Sequence, residues 1–476
     1  MEIFRAYDIR GEYPKDINDE NIYKIARTLV KMFNARNVVV GRDVSLNTPN
    51  VHKALIDGLT DQGANVTDIG IAGTDVVYFA AGQYRFDIGI EITASHSAGH
   101  LSGIKIIGPN ATPFGMGFGM EKLKKAFQDY QELSSDRKGE VVCKDIWQEF
   151  IEHTLSRVNY QKIKPVNIVV DASNAVGSLE VDQLIKRLPQ VKVEKINWEL
   201  DGHYPGHAPN PFLKENRKEL VEAIKKSKVN FGVAFDGDAD RIFFVDGRGD
   251  FIFGVYINVL IAEKMCLESP GRKILHDVRA IRYAREKITA AGGIPEMTLV
   301  GHAYFKKKMK EENAIFGAEC TGHVYYNFGE YMVENSLLAL LQVLEIVSEK
   351  DKSLRDLTID ARTKYPTIGE HNFTLPGFSA TDELGPDAIE AMNKVLSALR
   401  DYYHDGDISD FDTFTVYYPE WNFNIRPSAN DPLVRVTLEA TNKNVLLRKK
   451  EEVFAFLKKE GCQFLNDTGV TLPEEN

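Results

Sequence analysis

The sequence contains few cysteines and no long hydrophobic segment. Its 476 residues include four cysteines, whose spacing fits neither a disulfide framework nor a zinc site. No apolar run approaches the roughly 18 residues that a transmembrane helix needs, and the N-terminal residues lack the apolar core of a signal peptide. These absences predict a protein that does not enter a membrane and works in a reducing cytoplasm.

Basic residues are fewer than acidic residues. Lysine and arginine total 58 residues against 69 aspartates and glutamates, which gives a net charge of −11. This balance argues against non-specific binding to nucleic acid, although a local basic site is compatible with it. An anionic ligand must therefore be attracted by a local pocket. No segment is biased enough in composition to predict a long disordered region.

One pattern occurs three times along the chain. An apolar strand ends in an aspartate at Asp43, at Asp171 and at Asp277. A helical stretch follows each of these strands, and then a second strand that ends in a loop of small and polar residues. Near-continuous apolar strands that alternate with helices are typical of parallel sheets buried on both faces. Chance similarity between common α/β patterns is the alternative explanation.

The recurrence predicts the fold class and the domains. We expect three related α/β domains with mixed, mainly parallel sheets, followed by a C-terminal α+β domain. The last segment differs in kind because it contains predicted strands near 372–375 and on both sides of 426–432, with helices near 387–403 and 444–459. The predicted domain boundaries are 1–150, 151–253, 254–369 and 370–476.

The loop of the second repeat holds the most specific motif. Asp236, Asp238 and Asp240 alternate with small residues and are followed directly by Arg241. Converging carboxylate oxygens suit a hard divalent cation such as Mg²⁺, and a guanidinium can hold a phosphate or a hydroxyl. The loop does not fit an EF-hand well, because that loop needs glycine at its sixth position and glutamate at its twelfth, where this chain has Arg241 and Gly247. A solvated acidic turn is the remaining alternative, but a buried strand precedes the loop.

The loop of the first repeat offers a serine. Small residues surround Ser95, which would let its hydroxyl protrude, and His96 follows it. A loop serine is usually structural, but near a divalent ion it can carry a phosphoryl group. We expect Lys105, a few residues downstream, to return toward the same site. The run formed by Lys306, Lys307, Lys308 and Lys310 is interpreted as a solvated helix face.

Two further segments carry candidate binding groups. Glu319, Thr321 and His323 lie in the loop of the third repeat, where they can bind sugar hydroxyls and move protons, although a capped turn has the same composition. Arg426 and Ser428 begin a turn between two strands of the last domain. A guanidinium, a hydroxyl and backbone N–H groups in a rigid turn can bind phosphate, and a plain proline-containing loop is the alternative.

Taken together, these motifs resemble those of the α-D-phosphohexomutases, most closely the phosphomannomutase/phosphoglucomutase branch. The resemblance covers nearly the whole chain in family order. The segments that carry it are 4–11, 93–96, 236–241, 317–323 and 421–428. It implies four domains around a central cleft, a phosphoryl group carried by Ser95, and Mg²⁺ bound by Ser95, Asp236, Asp238 and Asp240.

The same resemblance implies roles for further residues. Arg10, Lys105 and His323 would assist proton transfer in catalysis. The implied substrate-binding residues are Tyr7, Arg241, Arg279, His302, Glu319, Thr321, Arg426, Ser428 and Asn430. The sequence departs from the family pattern at Ser97-Ala98, Leu101-Ser102, Thr321, Glu334-Asn335 and 429–431.

The activity implied by the resemblance is the interconversion of hexose 1-phosphate and hexose 6-phosphate, for mannose, glucose or both. The reaction would pass through phosphorylated Ser95 and a hexose 1,6-bisphosphate, which also serves as activator. A monomer and a homodimer are both compatible with the sequence. The alternatives are a phosphoglucosamine mutase, a catalytically weak phosphosugar-binding homologue, and a one-way bisphosphate synthase or phosphatase.

Overall fold

The structure is a computed structural model that describes residues 3–97, 99–132, 134–279, 281–380, 382, 384–428 and 431–473. The described chain forms four sheets that follow one another along the sequence. The strands of these sheets lie within 9–143, 166–252, 273–334 and 367–467. None of the helices in the described residues is long and apolar enough to cross a membrane.

The first sheet has seven strands and four helices packed around it. The strands are β1 (Ile9–Glu12), β2 (Asn37–Arg42), β3 (Asn65–Ile71), β4 (Ile88–Ile92), β5 (Leu101–Gly108), β6 (Thr112–Pro113) and β7 (Val141–Cys143). The helices are α1 (Asp19–Phe33), α2 (Thr48–Asp61), α3 (Thr74–Gln83) and α4 (Met120–Gln128). The strand order is β1-β5-β4-β2-β3-β7, and β6 pairs with β5. Helix α1 begins where the Asn18 side chain accepts a hydrogen bond from the N–H of Asn21.

The second sheet has five strands. These are β8 (Val166–Asp171), β9 (Val191–Ile196), β10 (Phe231–Phe235), β11 (Ile242–Asp246) and β12 (Phe251–Ile252), in the order β12-β11-β10-β8-β9. The helices of this part are α5 (Trp147–Leu155), α6 (Gly177–Ile185) and α7 (Lys218–Ser227). Strand β10 is buried along its whole length, as its uninterrupted apolar sequence predicts.

The third sheet repeats this arrangement. Its strands are β13 (Lys273–His276), β14 (Ile294–Met297), β15 (Phe316–Ala318), β16 (Val324–Asn327) and β17 (Met332–Glu334), in the order β14-β13-β15-β16-β17. The helices are α8 (Gly254–Glu268), α9 (Ile281–Ala290), α10 (His302–Glu312), α11 (Ser336–Lys350) and α12 (Leu354–Lys364).

The fourth sheet is antiparallel throughout. Its strands are β18 (Thr367–Thr374), β19 (Asp407–Ser409), β20 (Phe414–Tyr417), β21 (Trp421–Pro427), β22 (Leu433–Ala440) and β23 (Gln463–Asp467), in the order β19-β20-β21-β22-β18-β23. The helices α13 (Pro386–Tyr402) and α14 (Lys443–Lys459) pack against it. This sheet has its own apolar core, which includes Phe423 and Leu446.

The first three sheets share one topology, which confirms the predicted fold class. In each, two parallel pairs are followed by an antiparallel pair: β3-β2-β4-β5, β9-β8-β10-β11 and β14-β13-β15-β16. The predicted polar loops lie at the equivalent turn of each repeat, between β4 and β5, between β10 and β11, and between β15 and β16. One continuous apolar cluster, which contains Phe79, Phe235 and Leu338, joins the three units. The boundaries proposed for the four domains stay a prediction.

Candidate active site

A cleft of about 460 Å³ lies where the four units meet. Each unit contributes side chains to it. The lining includes Arg5, Arg10 and His96 from the first unit, Asn210 and Arg241 from the second, His302, Glu319 and His323 from the third, and Glu370, Arg426 and Arg435 from the fourth. Basic side chains outnumber acidic ones among these residues, so the cleft can attract an anion although the chain has a negative net charge.

Ser95 lies in a tight turn at the end of β4. Its φ angle is +54°, in the left-handed region, and its backbone N–H donates to Thr93 Oγ1 at 2.7 Å. The side chain is 5% exposed. Its Oγ lies 3.1 Å from His96 Nδ1 and 3.4 Å from Arg241 Nη2. The hydroxyl is therefore held beside a guanidinium, which favours an anionic group on this oxygen.

The three aspartates proposed as metal ligands converge, as their spacing in the sequence predicts. Asp236, Asp238 and Asp240 are buried, and one oxygen from each lies within 4.8 Å of the others. Among the described residues, Oδ1 of Asp238 and of Asp240 is buried without a hydrogen-bond partner. Burial raises the pKa of Asp236 to about 8, Arg241 opposes this shift, and the two neighbouring carboxylates add to it. Buried, mutually repelling oxygens fit a hard divalent cation such as Mg²⁺.

Lys105 returns to this loop from β5. Its Nζ lies 2.5 Å from Asp238 Oδ2 and 2.6 Å from Asp240 Oδ2. Burial alone would lower the pKa of Lys105, but the two carboxylates outweigh it and raise the pKa above its ordinary value. The amine is therefore charged at neutral pH. Thr74, which the sequence did not single out, donates from its hydroxyl to Asp238 Oδ2 at 2.7 Å.

Arg241 connects the serine loop (93–96), the metal loop (236–241) and the predicted sugar-binding loop (317–323). Its Nε donates to Asp236 Oδ2 at 2.7 Å, and Nη2 approaches Ser95. Its backbone forms an isolated antiparallel bridge with His323 of the third loop. The side chain is 6% exposed, so its position is fixed by packing as well as by charge. The metal loop, the serine loop and the sugar-loop candidate are thus one contiguous structure.

The predicted sugar-binding loop presents Glu319 and Thr321 to the cleft. Glu319 accepts hydrogen bonds from Tyr325 Oη at 2.5 Å and from Arg279 Nη2 at 3.2 Å. Thr321 Oγ1 lies 3.4 Å from Glu319 Oε2. Burial, with the nearby charges of Arg241 and Lys105, lowers the pKa of His323 well below its ordinary value, so this imidazole is neutral at pH 7.

The N-terminal candidates form a second wall of the cleft. Arg10 Nη1 donates to Ser97 Oγ at 2.7 Å, and Nη2 pairs with Asp8. Tyr7 donates to the carbonyl oxygen of Val300 at 3.2 Å, and its ring meets that of His302 edge to face at 5.1 Å between centroids. Ser97, where the family usually has asparagine, thus keeps a polar contact to Arg10.

The phosphate-site candidates lie on the fourth sheet. Arg426 on β21 is opposite Arg435 on β22, and both side chains line the cleft. Ser428 Oγ donates to Asp431 Oδ2 at 3.0 Å and accepts from Arg435 Nη2 at 3.2 Å. Burial, together with the guanidinium groups of Arg279 and Arg435, lowers the pKa of Arg426. Asn430, the other predicted phosphate ligand, lies outside the described residues.

Comparison with known proteins identifies the architecture. Models of the phosphoglucomutase/phosphomannomutase alpha/beta/alpha domains I, II and III match residues 1–134, 148–249 and 249–365. A phosphomannomutase of Escherichia coli is 34% identical over 466 residues, which cover 96% of this chain and 99% of that protein. The chain belongs to the phosphoglucomutase/phosphomannomutase family. It is therefore an enzyme of the isomerase class, in line with the implied enzyme class.

Other members of the family support the same assignment. Phosphohexose mutases of Xanthomonas campestris are 33% identical over 452 residues, which cover 95% of this chain and 98% of theirs. The crystal structure of a phosphoglucomutase/phosphomannomutase family protein from Burkholderia thailandensis superimposes with a TM-score of 0.83 at 27% identity. This match covers 97% of this chain and 99% of the other. The four-unit arrangement is thus shared over the whole length.

One interpretation made from the sequence is wrong. Lys306 does not lie on a solvated helix face, because its side chain is fully buried. Its Nζ lies 2.5 Å from Glu334 Oε2 and 3.3 Å from the centre of the Tyr78 ring. Helix α10 packs this side against α3 and β17, and the charge is balanced by Glu334 rather than by water. Burial lowers the pKa of Lys306 to about 8 against the effect of that carboxylate.

The departure at Glu334-Asn335 from the family pattern has a structural explanation. Glu334 balances Lys306, and Asn335 caps α11 by accepting a hydrogen bond from the N–H of Leu338 at 2.7 Å. Both residues are buried. The Glu334-Asn335 sequence therefore keeps the start of α11 intact.

Gly237 supports the serine loop through a close contact that leaves no room for a side chain. A Cβ at this position would lie 2.4 Å from the carbonyl oxygen of Ser95. We expect Gly237→Ala to displace Ser95 from the metal loop and to lower kcat by about tenfold to a hundredfold, because small misplacements of reacting groups are costly. Gly385→Ala is the matched control, since a Cβ there has no neighbour within 4 Å. An unchanged kcat in folded Gly237→Ala protein would show that this contact does not matter.

Proposed function

We propose that the protein is a phosphohexomutase that interconverts the 1- and 6-phosphates of mannose, glucose or both. The observation that carries the proposal is the meeting of Ser95 Oγ, Arg241 and three buried carboxylates, with Arg241 also lining the cleft that holds the arginine pair of the fourth sheet. The cluster around Ser95 can hold the phosphoryl group that is transferred. The arginine pair can hold the phosphate that does not react. Related proteins named phosphomannomutase and phosphohexose mutases support this class of activity.

The first chemical step transfers a phosphoryl group from Ser95 to the sugar. The bond between phosphorus and Ser95 Oγ breaks while a bond forms between phosphorus and the free hydroxyl of a hexose 1- or 6-phosphate. The hydroxyl loses its proton to a base, and Ser95 Oγ is protonated in turn. The product is a hexose 1,6-bisphosphate. Because the transition state is loose and anionic, catalysis depends mainly on positioning and on cationic groups, which Arg241 and Lys105 supply.

The second step returns the other phosphate to Ser95. The bisphosphate turns over so that its second phosphate faces the serine, and the reverse transfer leaves the isomeric monophosphate. The arginine pair with Ser428 would hold whichever phosphate is distal. Glu319 and Thr321 would bind the 3- and 4-hydroxyls, which glucose and mannose share. Because the two sugars differ at C2, these contacts do not distinguish them.

The carboxylates of Asp236, Asp238 and Asp240, with an oxygen on Ser95, would hold Mg²⁺. When bound, the ion supplies positive charge to the phosphoryl oxygens and lowers the repulsion among the three carboxylates. Lys105 is hydrogen-bonded to two of them and would keep them oriented. Hexose 1,6-bisphosphate is proposed as the activator, because it can phosphorylate Ser95 at the start of a reaction.

Three residues are proposed to assist proton transfer. Arg10 and Lys105 are positively charged, so each can stabilise a developing oxyanion or donate a hydrogen bond. His323 is neutral at pH 7 and can accept a proton. These roles, like those of the other substrate-binding residues, stay predictions. A monomer or homodimer and a cytoplasmic location also stay predictions.

The test is turnover of glucose 1-phosphate and mannose 1-phosphate to their 6-phosphates, with Mg²⁺ and catalytic hexose 1,6-bisphosphate. Conversion of either sugar over many turnovers supports the proposal, and the ratio of the two kcat/KM values names the preferred hexose. Absence of conversion by folded, phosphorylated enzyme would contradict it. Release of inorganic phosphate without isomerisation would identify a phosphatase instead.

Arg435 gives a second test that concerns binding. Because its guanidinium lies beside Arg426 and Ser428, we expect Arg435→Gln to raise KM for hexose 1-phosphate by about tenfold or more, the typical effect of losing a charge-assisted contact to phosphate. Arg400→Gln, an exposed arginine of the same domain paired with Asp410, is the control. Steady-state kinetics measure both. Equal KM values in wild type and Arg435→Gln would exclude Arg435 from the phosphate site.

A further inference from the structure

A buried carboxylate lies among the arginines of the proposed phosphate site. Glu370 is on β18, its side chain is 3% exposed, and it lines the cleft. Its Oε2 lies 3.4 Å from Arg279 Nη1, and its Oε1 lies 4.0 Å from Arg435 Nη1. A group of the same sign as phosphate is unexpected at a phosphate site, because like charges in a buried position repel strongly.

The strand register explains how these groups come together. Asn372 on β18 is opposite Arg435 on β22, and Arg435 is opposite Arg426 on β21. Directly opposite residues point to the same face of a sheet, so the three form a row on the face that lines the cleft. Glu370 precedes Asn372 by two residues and points to that face as well.

Arg279 completes the arrangement from the third unit. Its guanidinium contacts Asp277, Glu319 and Glu370, so Glu370 is bound to an arginine that also orients the sugar-binding loop. Of the other carboxylates nearby, Asp431 accepts from Ser428 and Asp412 accepts from the N–H of Val300. Among the described residues, Glu370 is the carboxylate that joins Arg279 to Arg435 through ion-pair distances.

We propose that Glu370 is an internal counter-charge that weakens binding at the distal phosphate site, so that the bisphosphate can leave it and rebind by its other end. The inference rests on the proposed function, in which Arg426 and Arg435 bind the distal phosphate. Without Glu370, Arg435 would lose this carboxylate neighbour, and the arginine pair would bind a phosphate dianion too tightly for rapid exchange. With it, part of the positive charge is already neutralised.

The proposal predicts a gain of affinity when a charge is removed. In Glu370→Gln, we expect inorganic phosphate to bind about tenfold more tightly by isothermal titration calorimetry, KM for hexose 1-phosphate to fall, and kcat to fall because release of the bisphosphate slows. A residue that only stabilises the fold would not produce tighter binding. Glu330→Gln removes the same charge from an exposed ion pair with Arg85 and is the control. Loss of the heat signal in Arg435→Gln assigns the binding to this site.

Asn372→Asp is the converse variant and does not depend on how Glu370→Gln folds. It adds a carboxylate to the same row, so we expect phosphate to bind about tenfold more weakly. Unchanged or weaker phosphate binding in folded Glu370→Gln would overturn the proposal, as would tighter or unchanged binding in Asn372→Asp. Because phosphate binding is measured without turnover, an inactive wild type would contradict the proposed function while the binding results still decide the role of Glu370.

Discussion

Ser95→Ala should reduce turnover of hexose 1-phosphates by at least about a thousandfold. The variant lacks the oxygen that would carry the phosphoryl group, and removing a covalent nucleophile costs factors of this size or larger. A thousandfold loss corresponds to about 4 kcal/mol of transition-state stabilisation. We expect the rest of the cleft to be unchanged, because the hydroxyl lies beside His96 and Arg241 and the backbone hydrogen bond of Ser95 to Thr93 is kept in alanine.

Binding should survive in this variant. The arginine pair of the fourth sheet does not depend on Ser95, so we expect the Kd of hexose 6-phosphate to change by less than about threefold, as is usual for distant sites without shared partners. Ser156→Ala is the control, since this exposed hydroxyl donates to the carbonyl of His153. Stopped turnover with retained binding would identify Ser95 as the phosphoryl carrier. Wild-type turnover in Ser95→Ala would remove the serine from the mechanism.

Asp238→Asn should produce the other large effect, on the dependence of turnover on Mg²⁺. The substitution removes one of three converging charges and leaves Lys105 with a single carboxylate partner. We expect the Mg²⁺ concentration for half-maximal turnover to rise by about tenfold to a hundredfold, and kcat to fall by about a hundredfold, since oxygen ligands of full charge set the affinity for such ions.

A matched substitution separates the local effect from the change in net charge. Asp182→Asn removes the same charge from a partly exposed ion pair with Lys195 in the same unit, and we expect it to behave as wild type. Titration of turnover with Mg²⁺, and with chelator to establish the baseline, measures both variants. An Asp238→Asn enzyme with the wild-type Mg²⁺ dependence would mean that these three carboxylates do not bind the ion.

The repeat was readable from the sequence because it is local. Buried strands such as β4 and β10 are continuous apolar runs, and the polar loops follow them directly. That these loops meet in a common cleft was implied by the family resemblance and not by the strands themselves. The short strands β7, β19, β20 and β23 were not predicted, because three to five residues carry too little periodicity to be distinguished from loops.

The missed residues of the candidate site all depend on long-range pairing. Thr74 begins a helix and reaches Asp238, which is 164 residues away in sequence. Arg435 and Glu370 are brought to the candidate site by the register of β18, β21 and β22. The predicted pair of strands around 426–432 could have revealed Arg435. An arginine that faces Arg426 across the turn would share its face of the sheet.

The burial of Lys306 shows a different limit of sequence analysis. Consecutive lysines on a helix usually face water, and Lys307 does so with a side chain that is 56% exposed. Only the three-dimensional contact with Glu334, 28 residues later, reveals that Lys306 is part of the interior. A charged residue is buried when a partner compensates it, and that partner is invisible in the local sequence.

The most direct test of the account follows the phosphoryl group on Ser95. Enzyme incubated with labelled glucose 1,6-bisphosphate should carry one labelled phosphoryl group on the peptide that contains Ser95, as seen by mass spectrometry. After addition of unlabelled mannose 1-phosphate or glucose 1-phosphate, that label should leave Ser95 at the rate of turnover and appear in hexose bisphosphate. Turnover with no label on Ser95, or with a label that stays there through many cycles, would contradict the account.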